Sequence, residues 1–413
     1  MENKFKSIIN FLDNKDIVTI KKDLLNILQY NIYCPSQFTA GNNRRVYIPE
    51  INNTIPYKIN NKIINIPIVI KESVPNNPIQ LEIINNILFI TSVENMLTEL
   101  LILIYIHKII SKTVNLLFLL GYSICNTQNN ILIRIITAKQ GLPNDIKINL
   151  NNKVFNESPL WLPYNFNNLT FNRSLATLND LFAYIHYMKK KDDTILLPNG
   201  ITCNIIELYD SLCISYLATY HLLTENNIFI SDSHRSNIFI HWINNNSYYK
   251  KKSIKNIKYI VYKINNKYYK IKTFGIILII GDVGTSIIKI RDDIILIGNM
   301  YDIHTNYNKL NYIMRPTHNN YIFLHYAKEL LSFKYFMSTI SYQIFMSEPY
   351  VSYPHLGYMW FVSQNNDFLL GWDKQFLNKL KSTPELLSFY DNKYGIQQYK
   401  DNSNSILIIC KKY

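Results

Sequence analysis

The chain has 413 residues, 48% hydrophobic and 17% charged, which is too apolar for a disordered chain and ample for two or three domain-sized units or one bilobal domain. Lys and Arg (43) outnumber Asp and Glu (29), and the resulting +14 favours an anionic partner: nucleotide, nucleic acid, acidic protein or membrane surface. With 11 Gly and 14 Pro, collagen-like and Gly/Pro low-complexity classes are excluded.

Residues 1–36 read as a helical N-terminal extension. Asp16 can cap a helix on which Ile17, Ile20, Leu24, Leu25 and Leu28 recur at helical spacing. Residues 37–90 turn to strand character, with candidate strands at 46–48, 63–66 and 68–71. Pro67 makes the last two either separate strands or one edge strand broken there. A helix follows over about 93–110, with Ser92 as its candidate cap, and then strand-like segments at 116–125 and 131–137. The most apolar run, 100–106, stops at His107 and Lys108, well short of the ~20 apolar residues that span a bilayer. The polar start, Met1-Glu2-Asn3-Lys4-Phe5-Lys6, does not read as a secretory signal.

Residues 139–200 are loop-rich, with Pro143, Pro159, Pro163 and Pro198. Residues 204–223 form a long apolar helix, read as core rather than as partner surface. Short strands come next, then helices near 321–346 and 384–390. Strands first and helices later point to an α+β protein with a sheet-rich lobe before a helix-rich one. The five cysteines are odd in number, widely spaced and never in a C-x-x-C pair. That speaks against a zinc site or disulfide framework and for reduced thiols in a soluble, intracellular protein.

Four clusters carry chemistry. Asp232, His234 and Asn237 lie between the apolar triplets Ile228-Phe229-Ile230 and Ile238-Phe239-Ile240, an odd place for polar side chains unless a loop presents them to a cleft. An apolar strand at 279–280 ends in Gly281-Asp282-Val283-Gly284. Upstream, Ile68-Val69-Ile70 ends in Lys71, and Glu99 stands among Leu97, Leu100 and Leu101, where an internal partner is to be expected, with Glu94 as the fallback. Earlier still comes Gly41-Asn42-Asn43-Arg44-Arg45.

In this order the clusters resemble the protein-kinase-like superfamily, above all the divergent serine/threonine kinase-like proteins of large DNA viruses, over about residues 41–302. D-x-x-x-x-N, D-x-G and a strand-borne lysine are its signatures. The resemblance implies a bilobal kinase-like fold: a sheet-rich N-lobe at 37–138, and a helical C-lobe at 139–413 with a loop-rich insertion near 139–200 and a divergent C-terminal region. It implies ATP and Mg²⁺ as cofactors. Lys71, held by Glu99, is expected to pair with the ATP phosphates. Asp232 is expected to take the acceptor's hydroxyl proton, and Asn237 and Asp282 to hold magnesium. Gly41 is what remains of a phosphate-covering glycine loop, with Arg44 and Arg45 adding charge. Tyr268 to Gly275 resemble the hairpin such viral proteins place before their D-x-G, and Asp302 the residue that anchors the catalytic loop from below. The D-x-H-x-x-N form around His234 also resembles small-molecule phosphotransferases of the superfamily.

Several features depart from the pattern. Ile230-Ser231-Asp232 replaces H-R-D, no A-P-E follows, and Asp282 and Asp302 are separated by only about 20 residues. The expected function is a divergent serine/threonine protein kinase, with a small-molecule kinase and a pseudokinase scaffold as alternatives. The expected partner is an unidentified protein substrate; if viral, the chain is expected in host cytoplasm or virion. Nucleic acid also stays open as a partner, and that reading needs lysines on one face with aromatic platforms, which the runs Lys189-Lys190-Lys191 and Lys250-Lys251-Lys252 do not by themselves supply. His241, His304 and His318 lack metal-ligand spacing.

Overall fold

A computed structural model of the chain describes residues 2–28, 44–47, 54–59, 62–73, 80–91, 96–126, 131–143, 174–188, 193–230, 236–245, 247–249, 252–298 and 382–412. Helices and strands are mixed, as the α+β reading required.

Two helices come first, α1 (Glu2–Asn14) and α2 (Ile17–Ile27). Asp16 caps α2, its carboxylate accepting from the Thr19 N–H at 2.9 Å and the Thr19 hydroxyl at 2.6 Å. Phe5, Ile8 and Leu12 on α1 and Ile20 and Leu24 on α2 are buried in the main core. This segment is therefore built into the protein, not appended to it.

The chain continues through β1 (Arg44–Tyr47), β2 (Thr54–Ile59), β3 (Lys62–Ser73), β4 (Gln80–Ile84), β5 (Ile87–Thr91), α3 (Met96–Ile110), β6 (Leu119–Asn126) and β7 (Ile131–Ala138). One sheet has the order β1-β3-β7-β6, with β2 on the first half of β3. Pro67 neither splits β3 nor confines it to an edge. It sits opposite Thr54 at the end of the β2 ladder, and from Ile68 onward β3 pairs with β7 and, from Ile70, with β1. A residue without an N–H is tolerated where a ladder changes partner. Lys71 thus lies on an interior stretch, between Val46 and Ile135.

Helix α3 is buried almost all round, from Met96 to Ile106 and at Ile109, the mark of a core helix. The N-terminal helices brace it: Lys108 pairs with Asp13 at 2.7 Å, and the Phe5 ring lies 4.6 Å from that of His107. Residue 92, the expected cap, and Glu94 lie outside the described residues.

Next come α4 (Leu178–Met188), β8 (Thr194–Leu196), β9 (Thr202–Asn204), α5 (Ile205–Glu225), β10 (Ile228–Phe229), β11 (Ile238–Trp242), β12 (Tyr248–Tyr249), β13 (Lys252–Ser253), β14 (Tyr259–Ile264), β15 (Lys267–Lys272), β16 (Ile276–Ile280), a 3-10 turn (Val283–Thr285), β17 (Ile287–Arg291) and β18 (Ile294–Ile297). After residue 381 follow α6 (Thr383–Ser388), α7 (Asp391–Tyr394), β19 (Gly395–Ile396) and β20 (Ser405–Cys410). The second half was expected to be helix-rich. Its described residues carry one long core helix, α5, capped by Asn204, but otherwise mostly strands. The helix expected near 321–346 lies outside them.

Three strand arrangements organise this half. The order β10-β17-β18-β5-β4 joins it to the first half through a parallel β5–β18 pair. β11 pairs with β16, and β19-β15-β14-β20 form a four-stranded sheet. Arg291 at the end of β17 donates to the Asp13 and Lys15 carbonyls at 3.0 and 2.7 Å, satisfying the open C-terminal end of α1.

Asn115, between α3 and β6, is fully buried and clamps β16. Its amide donates to the Leu278 carbonyl at 2.8 Å and accepts from the Tyr262 hydroxyl at 3.0 Å, while its carbonyl accepts from the Ile280 N–H at 2.8 Å. Replacing it with Leu takes the donor away from the Leu278 carbonyl and leaves the buried Tyr262 hydroxyl only its hydrogen bond with Ser215. Asn115→Leu is expected to cost about 3 kcal/mol, read as a lower urea midpoint at unchanged slope.

Candidate functional site

Directly opposite residues in a ladder share a face, so Lys71 leaves the sheet on the side of buried Ile135. Its neighbour Glu72 points the other way, to Arg134 at 3.5 Å. Glu99, in the first turn of α3, has a side chain only 6% exposed. A carboxylate buried among leucines needs a partner, and Lys71 supplies it, with Nζ 2.9 and 2.7 Å from the two carboxylate oxygens.

The same ammonium reaches Asp282 Oδ1 at 3.2 Å. Burial by itself would lower the Lys71 pKa, but the charge of Glu99 and then that of Asp282, with hydrogen bonds to both, outweigh it and hold the group above the ordinary lysine value. Glu99 and Asp282, 28 and 211 positions from Lys71 along the chain, thus meet at its one nitrogen.

Asp282 has φ +47° and ψ +63°, the left-handed region that a non-glycine residue rarely adopts. The twist lets Ile280 and Val283 both bury at 1% exposure while the Asp282 side chain stays 42% exposed. Backbone strain of this kind costs about 1–3 kcal/mol and clusters at functional sites. Gly284 backs the cluster: a Cβ there would lie 3.2 Å from Glu99 Oε2 and 3.7 Å from Asp282 Oδ1. Gly284→Ala is expected to press on the Glu99 carboxylate and destabilise the fold by about 1–2 kcal/mol, read by thermal melting. An unchanged melting temperature would mean that the carboxylate yields freely.

Asn237 stands beside this turn. β11 and β16 close Ile238 against Ile280, and the Gly281 N–H donates to the Asn237 carbonyl at 3.2 Å. Gly281 is required for close approach, since a Cβ there would meet the Phe239 ring at 2.1 Å. On the other flank, β10 pairs with β17. The strand entering the Asp232 segment is therefore bonded to the strand leaving the Asp282 turn, and the strand leaving that segment to the one entering the turn. Asp232, His234, Gly41, Glu94 and Asp302 themselves lie outside the described residues, and of Arg44 and Arg45 only the backbone, in β1, is described.

Asn115 and the Phe239–Gly281 contact were not singled out from the sequence, since a lone Asn in an Asn-rich chain carries no signal; Gly284 is the glycine of the D-x-G element read there. The ring nitrogens of His241 lie 3.1 Å from Gln140 Oε1 and 2.7 Å from Ser247 Oγ, and desolvation pushes its pKa down to about 4. Cys203, Cys213 and Cys410 are buried thiols, and burial raises that of Cys203 to about 12, which makes it inert. Among the described residues no helix is long and apolar enough to cross a membrane.

No protein-family model matches the chain, and no curated protein matches it at a significant level.

Proposed function

We propose that the chain is an ATP- and Mg²⁺-dependent phosphotransferase of protein-kinase-like fold, with a sheet-rich N-lobe ending near residue 138, and that it acts as a divergent serine/threonine protein kinase. The observation that carries this reading is Lys71 bridging Glu99 and Asp282 at 2.7 and 3.2 Å. A strand lysine paired with a helix glutamate, beside the aspartate of a D-x-G turn, is the arrangement on which kinase catalysis depends.

The donor set fits a magnesium ion. Asp282 offers a part-exposed carboxylate and Asn237 a side-chain amide oxygen, and this hard cation takes one or two carboxylates and keeps several waters. Asp282 and Asn237 would hold the ion, which supplies charge neutralisation at phosphate oxygens. Lys71 would hold the nucleotide phosphates, and Glu99 would fix the lysine's direction. Asp232 would accept the hydroxyl proton of the acceptor. Catalysis of this kind is positioning and charge stabilisation, which rigid anchoring from both ladders favours. Ile230, at the place of the His of H-R-D, is fully buried.

The test is phosphate transfer from radiolabelled ATP to generic protein acceptors and to a panel of small-molecule alcohols, with Asp232→Ala as control. Transfer to protein that the control abolishes is the expected result, and transfer confined to small acceptors reassigns the substrate. Mg-dependent nucleotide binding without transfer makes the chain a scaffold, and absence of both overturns the reading.

A further inference from the structure

Strands β14 and β15 are amphipathic. Ile260, Tyr262 and Ile264 on β14 and Tyr269 and Ile271 on β15 are buried on the side of α5. The alternate positions face the other way: Tyr259, Val261 and Lys263, paired with Lys272, Lys270 and Tyr268. β20 adds Ser405, Leu407 and Ile409 to that face, in parallel register with Tyr259, Val261 and Lys263, and β19 adds Ile396 opposite Tyr268. None of these ten outward positions is a carboxylate, and Asp401 touches only their Ser405 end, through the Tyr399 hydroxyl. Val261 is a buried floor, the tyrosines, Lys263, Lys270 and Leu407 are half-buried, and Lys272 and Ile409 are exposed.

Lysines and rings are interleaved. Lys270 lies 4.3 Å above the Tyr259 ring and Lys263 5.1 Å above that of Tyr268. Lys272 is engaged by Glu207 at 2.9 Å, whereas Lys263 and Lys270 make no ion pair among the described residues. A cation over a partly exposed ring is held only weakly. A nucleobase stacked on the same ring is held more firmly, and the ammonium it displaces is left beside the phosphate that follows the base. We propose that this face, Tyr259, Lys263, Tyr268 and Lys270 with Lys272 at its edge, binds single-stranded nucleic acid without strong sequence preference. An acidic peptide would use the lysines and leave the rings idle. A duplex, its bases stacked on each other, would do the same.

The test is fluorescence anisotropy of the full chain with a labelled 15-nucleotide oligo-dT. Two to three phosphate contacts predict binding that weakens roughly tenfold between 50 and 200 mM salt. Lys263→Gln with Lys270→Gln is expected to flatten that dependence. Tyr259→Ala and Tyr268→Ala are each expected to weaken binding about tenfold, while Tyr259→Phe and Tyr268→Phe keep it. Circular dichroism of each variant confirms that it is folded. No binding at 50 mM salt, duplex bound as tightly as single strand, or affinity indifferent to loss of the rings in folded variants would each overturn the proposal.

Discussion

Asp282→Asn is expected to abolish phosphoryl transfer, a loss on the order of 10³-fold or more, and with it the magnesium-dependent part of nucleotide binding. Asparagine keeps the shape of the side chain and can still accept from Lys71, so the geometry of the turn survives. What disappears is the negative charge 3.2 Å from Lys71, on the one carboxylate of the cluster that faces solvent. Because that side chain is 42% exposed, the melting temperature without nucleotide should move by no more than a few degrees. The measurement is a pair of thermal melts with ATP, one with and one without Mg²⁺, beside a transfer assay. Wild-type turnover, or an undiminished magnesium-dependent shift, removes Asp282 from the metal site.

Lys71→Met is expected to inactivate the protein and also to destabilise it, by about 3 kcal/mol. Unlike Asp282, Glu99 cannot turn to water: its side chain is 6% exposed and both oxygens rest on Lys71. Deleting the ammonium leaves a buried charge without its main counter-ion. Adding Glu99→Leu should recover most of the stability and none of the activity, since an apolar replacement of both partners costs less than stranding one. Urea denaturation of the two single variants and the double variant gives the coupling energy, and additive losses would mean that the pair is worth little. The pH dependence has a definite sign. The Lys71 pKa is raised on folding, so the pair's contribution is complete below the unfolded lysine value near 10.5 and is lost as pH rises through the higher folded value. Wild type should therefore lose stability above pH 10.5 more steeply than Lys71→Met.

The parts of the fold that could be read in the sequence are those set by local pattern. Asp16 caps where a capping residue precedes an apolar helical run, and the apolar run read as a helix over 204–223 forms α5, with Asn204 as its cap rather than its first turn. Glu99 was suspect because a carboxylate among leucines needs an internal partner, and the partner it found, Lys71, ends an apolar strand triplet. Distant pairing escaped. Nothing in Ser405–Cys410 announces a parallel ladder with Tyr259–Ile264, because an apolar hexapeptide suits any vacant edge. The continuity of β3 through Pro67 was ambiguous for a similar reason: whether a missing N–H matters depends on which neighbours arrive. The lysines of the proposed nucleic-acid face were overlooked because they alternate with tyrosines at strand period and form no run.

The parallel ladder of β18 on β5 has a mechanical meaning. It staples the stretch just downstream of Asp282 to the stretch just upstream of α3, with Ile294 locked to Leu88 and Ile297 to Thr91. Aspartate and glutamate are thus tethered to one scaffold and travel together. Swinging Asp282 away from Lys71 would require tearing backbone hydrogen bonds in a zipper of fully buried Ile90, Leu296 and Ile297. Amides of that zipper should be among the slowest in the protein to exchange with deuterium, opening only when the whole molecule unfolds.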